Sequence, residues 1–276
     1  MKRFMKKIFL IFIALTLFMS MDAQVIKVYK GDVLVATYNA NEADRVVFKK
    51  STFTNGSFSV NANKKVQFSK GNLYWNGSEF RFENKQTSYP TSWDVNHVGH
   101  FYWTNYTDYM SGNALYMPYA PTYAYSNCTT KDVFFCSEDT PLTVEGESGL
   151  FALTIKEWEY IFYNRDNAAK LYKYGVTVDG HQNCLIIAPD GFAGTLKSSY
   201  SLEELDNLDI VCLPAAGWRG GIELGNAEIR GYYCSATPNS VSPDNTSYLL
   251  FRGDIVKKIT CDRFDGHCLR LVRITQ

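Results

Sequence analysis

The chain has 276 residues, with 28 basic and 28 acidic side chains, four histidines and seven cysteines. Balanced charge leaves no basic field to gather nucleic acid or anionic lipid, and this length buries a sizeable core without metals or disulfides. Seven is an odd number of cysteines, so at least one thiol stays unpaired within the chain in any compartment.

Lys2, Arg3, Lys6 and Lys7 precede an uncharged apolar run from Ile8 to Met19, followed by Ser20-Met21-Asp22-Ala23 and Gln24. Charged, greasy and small-polar segments in that order predict a removable secretory signal peptide over residues 1–23, cleaved near Ala23. The apolar run has 12 residues, and a membrane-crossing helix needs roughly 20. The first cysteine is Cys128, so no cysteine follows the leader to carry a lipid. The expected product is secreted, periplasmic or on the cell surface, is not a lipoprotein, and has no stable membrane insertion after cleavage. Without the leader the chain holds 24 basic and 27 acidic residues, a net charge of −3.

Residues 25–30 and 33–38 alternate around Gly31-Asp32 and predict a β-hairpin, with Arg45–Phe48 as a possible third strand. This piece, 24–50, reads as a small appendage, and the Ser, Thr, Asn and Gly of 50–57 read as a linker. From Phe58 onward short strands alternate with turns, and Asn76-Gly77 between Leu73-Tyr74-Trp75 and Glu79-Phe80-Arg81-Phe82 is a strong hairpin signal. Residues 86–127 show no period but carry many large rings, which argues against disorder. Thr154-Ile155-Lys156-Glu157 is a capping box opening a helix that should end near Asn164 to Asn167; Ser201-Leu202-Glu203-Glu204 opens a second, through about Leu208. Apolar runs at 210–213, 232–233, 248–251, 255–260 and 269–274 read as strands, which gives an α+β class.

Five phrases in fixed order resemble a group of exported bacterial domains. They are Phe68-Ser69-Lys70-Gly71-Asn72-Leu73, Leu153 to Tyr160 (with Thr154-x-x-Glu157-Trp158-Glu159-Tyr160), Leu213 to Arg219, Gly231 to Thr237, and Leu269 to Arg273. The group includes the Fibrobacter succinogenes major paralogous domain and, more distantly, the formylglycine-generating-enzyme-like (sulfatase-modifying factor) fold. The resemblance covers roughly residues 58–276 and implies a C-type-lectin-like α+β domain with two helices, short strands and long loops. It carries over no catalytic residue. The enzyme's copper-binding cysteine pair sits in a Gly-rich context, whereas Cys261 and Cys268 frame Asp262-Arg263-Phe264-Asp265-Gly266-His267.

Several residues invite a chemical reading. His97 and His100 with Asp94 could offer metal ligands, but no helix signal gives them a common face. His267 beside Cys261 and Cys268 could activate a thiolate or could sit at a strand end next to an inert cysteine. Cys128 with Cys136, and Cys261 with Cys268, are local disulfide candidates; buried thiols acting as small hydrophobes are the alternative. Trp218-Arg219-Gly220-Gly221 could present a ring and a guanidinium to a ligand, or bury Trp218 and leave Arg219 at the surface. The aromatic loop could contact a ligand through Trp103, Tyr106 and Tyr109, or could fill a satellite core. The resulting expectation assigns no catalytic residue, metal or cofactor. It is an exported non-enzymatic binding or surface-assembly module for a glycan or a protein, with Trp103, Tyr106, Tyr109, Trp218 and Arg219 as contact residues. An extracellular enzyme of the same fold is the rival.

Overall fold

The computed structural model describes residues 25–30, 33–39, 51–112, 114–117 and 129–275. The leader, the strand expected at 45–48 and Cys128 lie outside the described residues. The chain divides into two units, 1–50 and 51–276. In the first, β1 (Val25–Lys30) pairs antiparallel with β2 (Val33–Asn39), as the alternation predicts, with a register shift between Val28 and Tyr29.

The second unit is α+β, mostly strands with three short α-helices among the described residues. It opens with β3 (Phe58–Asn61) and β4 (Lys64–Phe68), whose inward positions Val66 and Phe68 follow a two-residue period. Next come β5 (Leu73–Trp75) and β6 (Phe80–Phe82), joined by four residues instead of two, in which the Asn76 Oδ1 accepts from the backbone N–H of Ser78 and Glu79. Helix α1 (Tyr106–Met110) follows, capped by the Asn105 side chain, then the pair β7 (Leu142–Val144) and β8 (Glu147–Leu150).

Both expected capping boxes form. Thr154 caps α2 (Ile155–Glu159), which runs on through a π turn at Tyr160–Asn164. Ser201 caps α3 (Leu202–Asn207), which lies after β9 (Tyr172–Val178), β10 (His181–Ile187) and β11 (Ser199–Tyr200). The sheet order β11-β9-β10-β12 adds β12 (Val211–Leu213) to β10. A hairpin, β13 (Trp218–Gly220) and β14 (Glu223–Gly225), leads into the three-stranded sheet β15 (Arg230–Pro238), β16 (Asn245–Arg252) and β17 (Ile255–Asp262). The last strand, β18 (Val272–Ile274), returns to pair with β4, so the unit closes on its own beginning.

Three buried clusters fill the unit. Trp158 and Phe162 of α2 pack against Phe58, Phe68, Tyr233 and Phe251. A ring-rich second cluster gathers Phe53, Phe82, Phe101, Trp103, Phe134, Phe135 and Tyr248. The third joins β9, β10 and β12 to α3 through Val176, Cys184, Ile186, Cys212 and Leu205.

The linker reading of 50–57 needs correcting from Ser51 onward. Phe53 is 1% exposed, sits edge-on to Phe82 at 5.9 Å, and lies under the Arg273 guanidinium, so this segment is part of the second core. Polar neighbours disguised a single anchoring ring.

Four arginines sit inside the unit. Arg270, 2% exposed, faces no carboxylate: it donates to Asn72 Oδ1 (2.9 Å) and to the carbonyls of Ser69 (3.1 Å), Lys70 (2.5 Å), Gln86 (3.1 Å) and Cys212 (2.9 Å). It ties the loops after β4 and β6 to β12 by satisfying carbonyls that no ladder reaches. Arg165 also donates to carbonyls, those of Ile161, Ala188 and Leu171, and pairs in addition with Asp190 at 3.5 Å.

Candidate functional site

The surface of the second cluster is a shelf of half-buried rings. Trp75, at the end of β5, stacks on Tyr116 with centroids 4.1 Å apart and planes 8° from parallel, and meets the edge of Phe80 at 5.3 Å. Phe80 leans on Phe135 at 6.2 Å, and Tyr109 of α1 packs on the same Phe135 at 5.1 Å. Burial of one side pushes the phenols of Tyr109 and Tyr116 above their ordinary value. Next to Tyr109 and Tyr116 along the chain, Tyr106 is 39% exposed, Met110 63% and Met117 44%, so the segments that carry these rings also present apolar surface. Helix α1 is too short to be stable alone. Its place is set by the Asn105 cap, the hydrogen bond from Tyr106 N–H to the Val133 carbonyl (2.7 Å), and the seat of Tyr109 on Phe135.

The five expected contact residues divide. Tyr106 and Tyr109 belong to the shelf. Trp103 does not: it is fully buried, with its indole N–H donating to the Ser235 carbonyl (2.9 Å), Phe134 against one face and the Arg263 guanidinium 4.2 Å from its centroid. A ring with both faces occupied and its donor satisfied offers nothing to a ligand. Arg219 is likewise interior, 1% exposed. It donates to the carbonyls of His100 (3.0 Å), Met117 (2.8 Å) and Gly221 (2.9 Å) and to the Tyr102 hydroxyl (2.9 Å). Both readings of 218–221 therefore change. The guanidinium is the core group, and half-buried Trp218 lies over the backbone of Gly220 and Gly225, where a Cβ would meet its ring at 2.6 and 2.9 Å.

The histidines do not converge on a metal. His97 pairs with Glu83 (2.7 Å) at the surface, whereas His100 turns inward and its Nε2 bonds the Ala216 carbonyl (2.9 Å). No group of three His, Cys, Asp or Glu able to hold a metal occurs among the described residues. His267 stacks on Tyr232 (5.3 Å) and meets the tilted ring of Tyr248 (4.0 Å). Burial lowers His100 to about 4 and His267 to about 3, the latter helped by His100, so both rings are neutral near pH 7. The thiols beside His267 are not activated. Burial pushes Cys261 up to about 12 and Cys268 further, and the two are unbridged. Cys268 belongs to the first cluster while Cys261 sits at the rim of the second, which is why seven residues of spacing did not make a pair. Cys136, the other expected partner of a local bridge, is a buried free thiol.

Two further constellations carry charge. A cleft of about 230 Å³ has Phe151, Ala152, Val133 and Ala236 as its apolar lining and Glu138, Asp139 and Glu157 among its carboxylates. Lys64 reaches its edge, paired with Glu138 and with Glu157 (2.6 Å) and lying 4.7 Å over the Phe151 ring. At another surface Glu228, held at φ 62°, accepts from the Tyr89 hydroxyl and the Gln182 N–H (2.9 Å) and pairs with His181 Nδ1 (2.9 Å). These bonds pull Glu228 below its ordinary value against its partial burial, and they pin the 226–229 turn to the β9–β10 hairpin; burial, then the Glu228 carboxylate, raises Tyr89.

No protein-family model, curated protein or solved structure matches the chain. No helix among the described residues is long and apolar enough to cross a membrane. Sequence reasoning missed Trp75, Phe80 and Tyr116 as surface rings. The signal available for Trp75 and Phe80 was their position flanking a predicted turn, where a strand's outward residues face solvent.

Proposed function

We propose that this chain is an exported, non-catalytic binding module that docks a protein surface through the shelf formed by Trp75, Phe80, Tyr106, Tyr109 and Tyr116. The carrying observation is the composition of that shelf. Stacked and half-buried aromatic rings are carried on segments in which Met110 and Met117, the chain neighbours of Tyr109 and Tyr116, are exposed. Aromatic residues and methionine are enriched where proteins meet proteins, and such rings lose little side-chain entropy on binding. A sugar-binding platform would instead present an open ring face edged by hydrogen-bonding groups, and Tyr116 already covers one face of Trp75. Export is proposed from the leader at residues 1–23. The resemblance to the exported bacterial domains and the C-type-lectin-like frame are proposed on the same footing, supported by two capping-box helices, short strands and a long ring-bearing loop in one α+β unit.

The test is saturable binding of the purified protein to envelopes of the cells that produce it. Expected results are loss of binding after the envelopes are treated with protease and about a tenfold weakening by the double substitution Tyr106→Ala and Met110→Ala, about 1.4 kcal/mol. Binding that survives protease but disappears after periodate oxidation of surface sugars would replace the protein with a glycan, and absence of binding altogether would defeat the module reading.

A further inference from the structure

Cys184 on β10 and Cys212 on β12 meet inside the third cluster. In the register of these antiparallel strands Ile186 lies opposite Cys212 and Leu185 opposite Leu213. Residue 184 shares the sheet face of residue 186, so Cys184 and Cys212 are diagonal neighbours on one face. Both are fully buried in the same apolar cluster, where burial and then the neighbouring Cys184 thiol hold the Cys212 thiol above its ordinary value. Diagonal Cα atoms stand about 7–8 Å apart, just beyond the roughly 4.4–6.8 Å that a disulfide spans, so the bridge needs a small backbone shift. The strand can give at this point: the β9–β10 register shifts between His181 and Cys184 and again between Cys184 and Ile186, and Asn183 is held at φ 55°.

We propose that Cys184 and Cys212 form a disulfide when the chain folds in an oxidising compartment, while Cys136, Cys234, Cys261 and Cys268 remain thiols. The segment so closed, 184–212, carries β11 and α3 together with Leu196, Tyr200, Leu205 and Ile210, most of the third cluster, which the bridge would lock to the sheet.

The oxidant is an external disulfide, either a small molecule or a dithiol oxidoreductase. One cysteine thiolate attacks it, forming a mixed disulfide and releasing one thiolate. The second cysteine thiolate then attacks the protein sulfur of that mixed bond and releases the other. Two S–H bonds are lost, one S–S bond forms, the electron pair ends on the oxidant, and the two protons pass to the released thiolates. Timing follows from access. In the folded protein both sulfurs are out of reach of solvent, and burial holds the Cys212 thiol well above its ordinary value. The exchange therefore belongs to folding, before the cluster closes, and the finished bridge is shielded from reductants in turn.

The experiment needs no binding partner, so its outcome is separate from that of the docking reading. The full chain is unfolded in reductant and refolded either in a mixture of reduced and oxidised glutathione or in reductant alone. It is then alkylated in denaturant, digested and mapped by mass. The expected result in glutathione is one cross-linked peptide pair containing Cys184 and Cys212, two fewer alkylated thiols, and resistance to dithiothreitol until denaturant is added. The oxidised wild type should also melt above the reduced wild type, while Cys184→Ser and Cys212→Ser should melt alike in both buffers. Seven alkylated thiols in the glutathione sample, or a cross-link joining another pair, would overturn the proposal.

Discussion

Acidification from pH 7 to pH 5 should destabilise this protein through two histidines that touch no ligand. His100 and His267 are 1% exposed and neutral in the fold, lowered to about 4 and about 3, while an unfolded histidine titrates near 6.5. Their folded values are depressed, so below pH 6.5 the unfolded chain binds protons that the folded chain refuses. Stability then falls with pH until the folded values are reached. At pH 5 the gap is about 1.5 pH units for each ring, or about 2 kcal/mol apiece and about 4 kcal/mol together relative to pH 7. Asp265 works the other way. Burial and Asp262 raise it to about 6, so the folded state takes up a proton that the unfolded state does not until lower pH. It is only half-buried, and after solvent screening it returns less than about 1 kcal/mol. The net loss of about 3 kcal/mol is a large part of the 5–15 kcal/mol that holds an ordinary domain together. Carboxylates held below their ordinary value, such as Asp132, Asp190 and Glu228, lose their contribution only at lower pH, below the unfolded carboxylate range, and leave this window to the histidines. Guanidinium unfolding followed by tryptophan fluorescence at pH 7, 6 and 5 measures the effect, and His267→Phe should halve the slope. An unfolding free energy that stays level from pH 7 to pH 5 would show that these rings are hydrated or already paired in the charged form, and would refute the burial argument.

Arg270→Met should be among the most damaging single changes, because it strands three buried carbonyls, the part-buried Lys70 carbonyl and the Asn72 amide oxygen. A loss of about 4 kcal/mol is expected, against little change for the exposed Arg252→Met, read from chemical denaturation midpoints. Gly217→Ala should cost about 3 kcal/mol or more, since the residue sits at φ 74° and its Cβ would meet the Gly225 carbonyl oxygen at 2.1 Å. Thr154→Ala removes one half of the capping box on α2 and should lower stability by about 1 kcal/mol without altering the shelf, which a thermal melt combined with the envelope-binding assay would show.

The elements that the sequence foretells are those whose cause is local. Thr154 and Ser201 each reach a backbone N–H three residues on, Asn76 closes its own turn, and the alternation at 25–38 marks a hairpin whatever the rest of the chain does. The β9–β10 hairpin has a local cause too, Asp179-Gly180 at positive φ between its two strands, but its polar outward residues break up the apolar runs that mark the other strands. The site is different in kind. Trp103 and Tyr106 stand three residues apart in the same ring-rich loop, yet the first is enclosed by Phe134, Ser235 and Arg263, and the second lies open. Nothing near either residue records which rings will be covered, because the covering groups arrive from more than 25 residues away. Arg219 makes the same point with the opposite sign. A guanidinium beside a tryptophan reads as the exposed partner until the carbonyls of His100, Met117 and Gly221 are brought to it, and then its burial is the stable outcome. Counting rings in a loop therefore tells how much apolar area must be hidden. Which rings remain for a partner is decided by the distant donors and acceptors that claim the others, so the shelf at Trp75, Tyr109 and Tyr116 is what the core left uncovered.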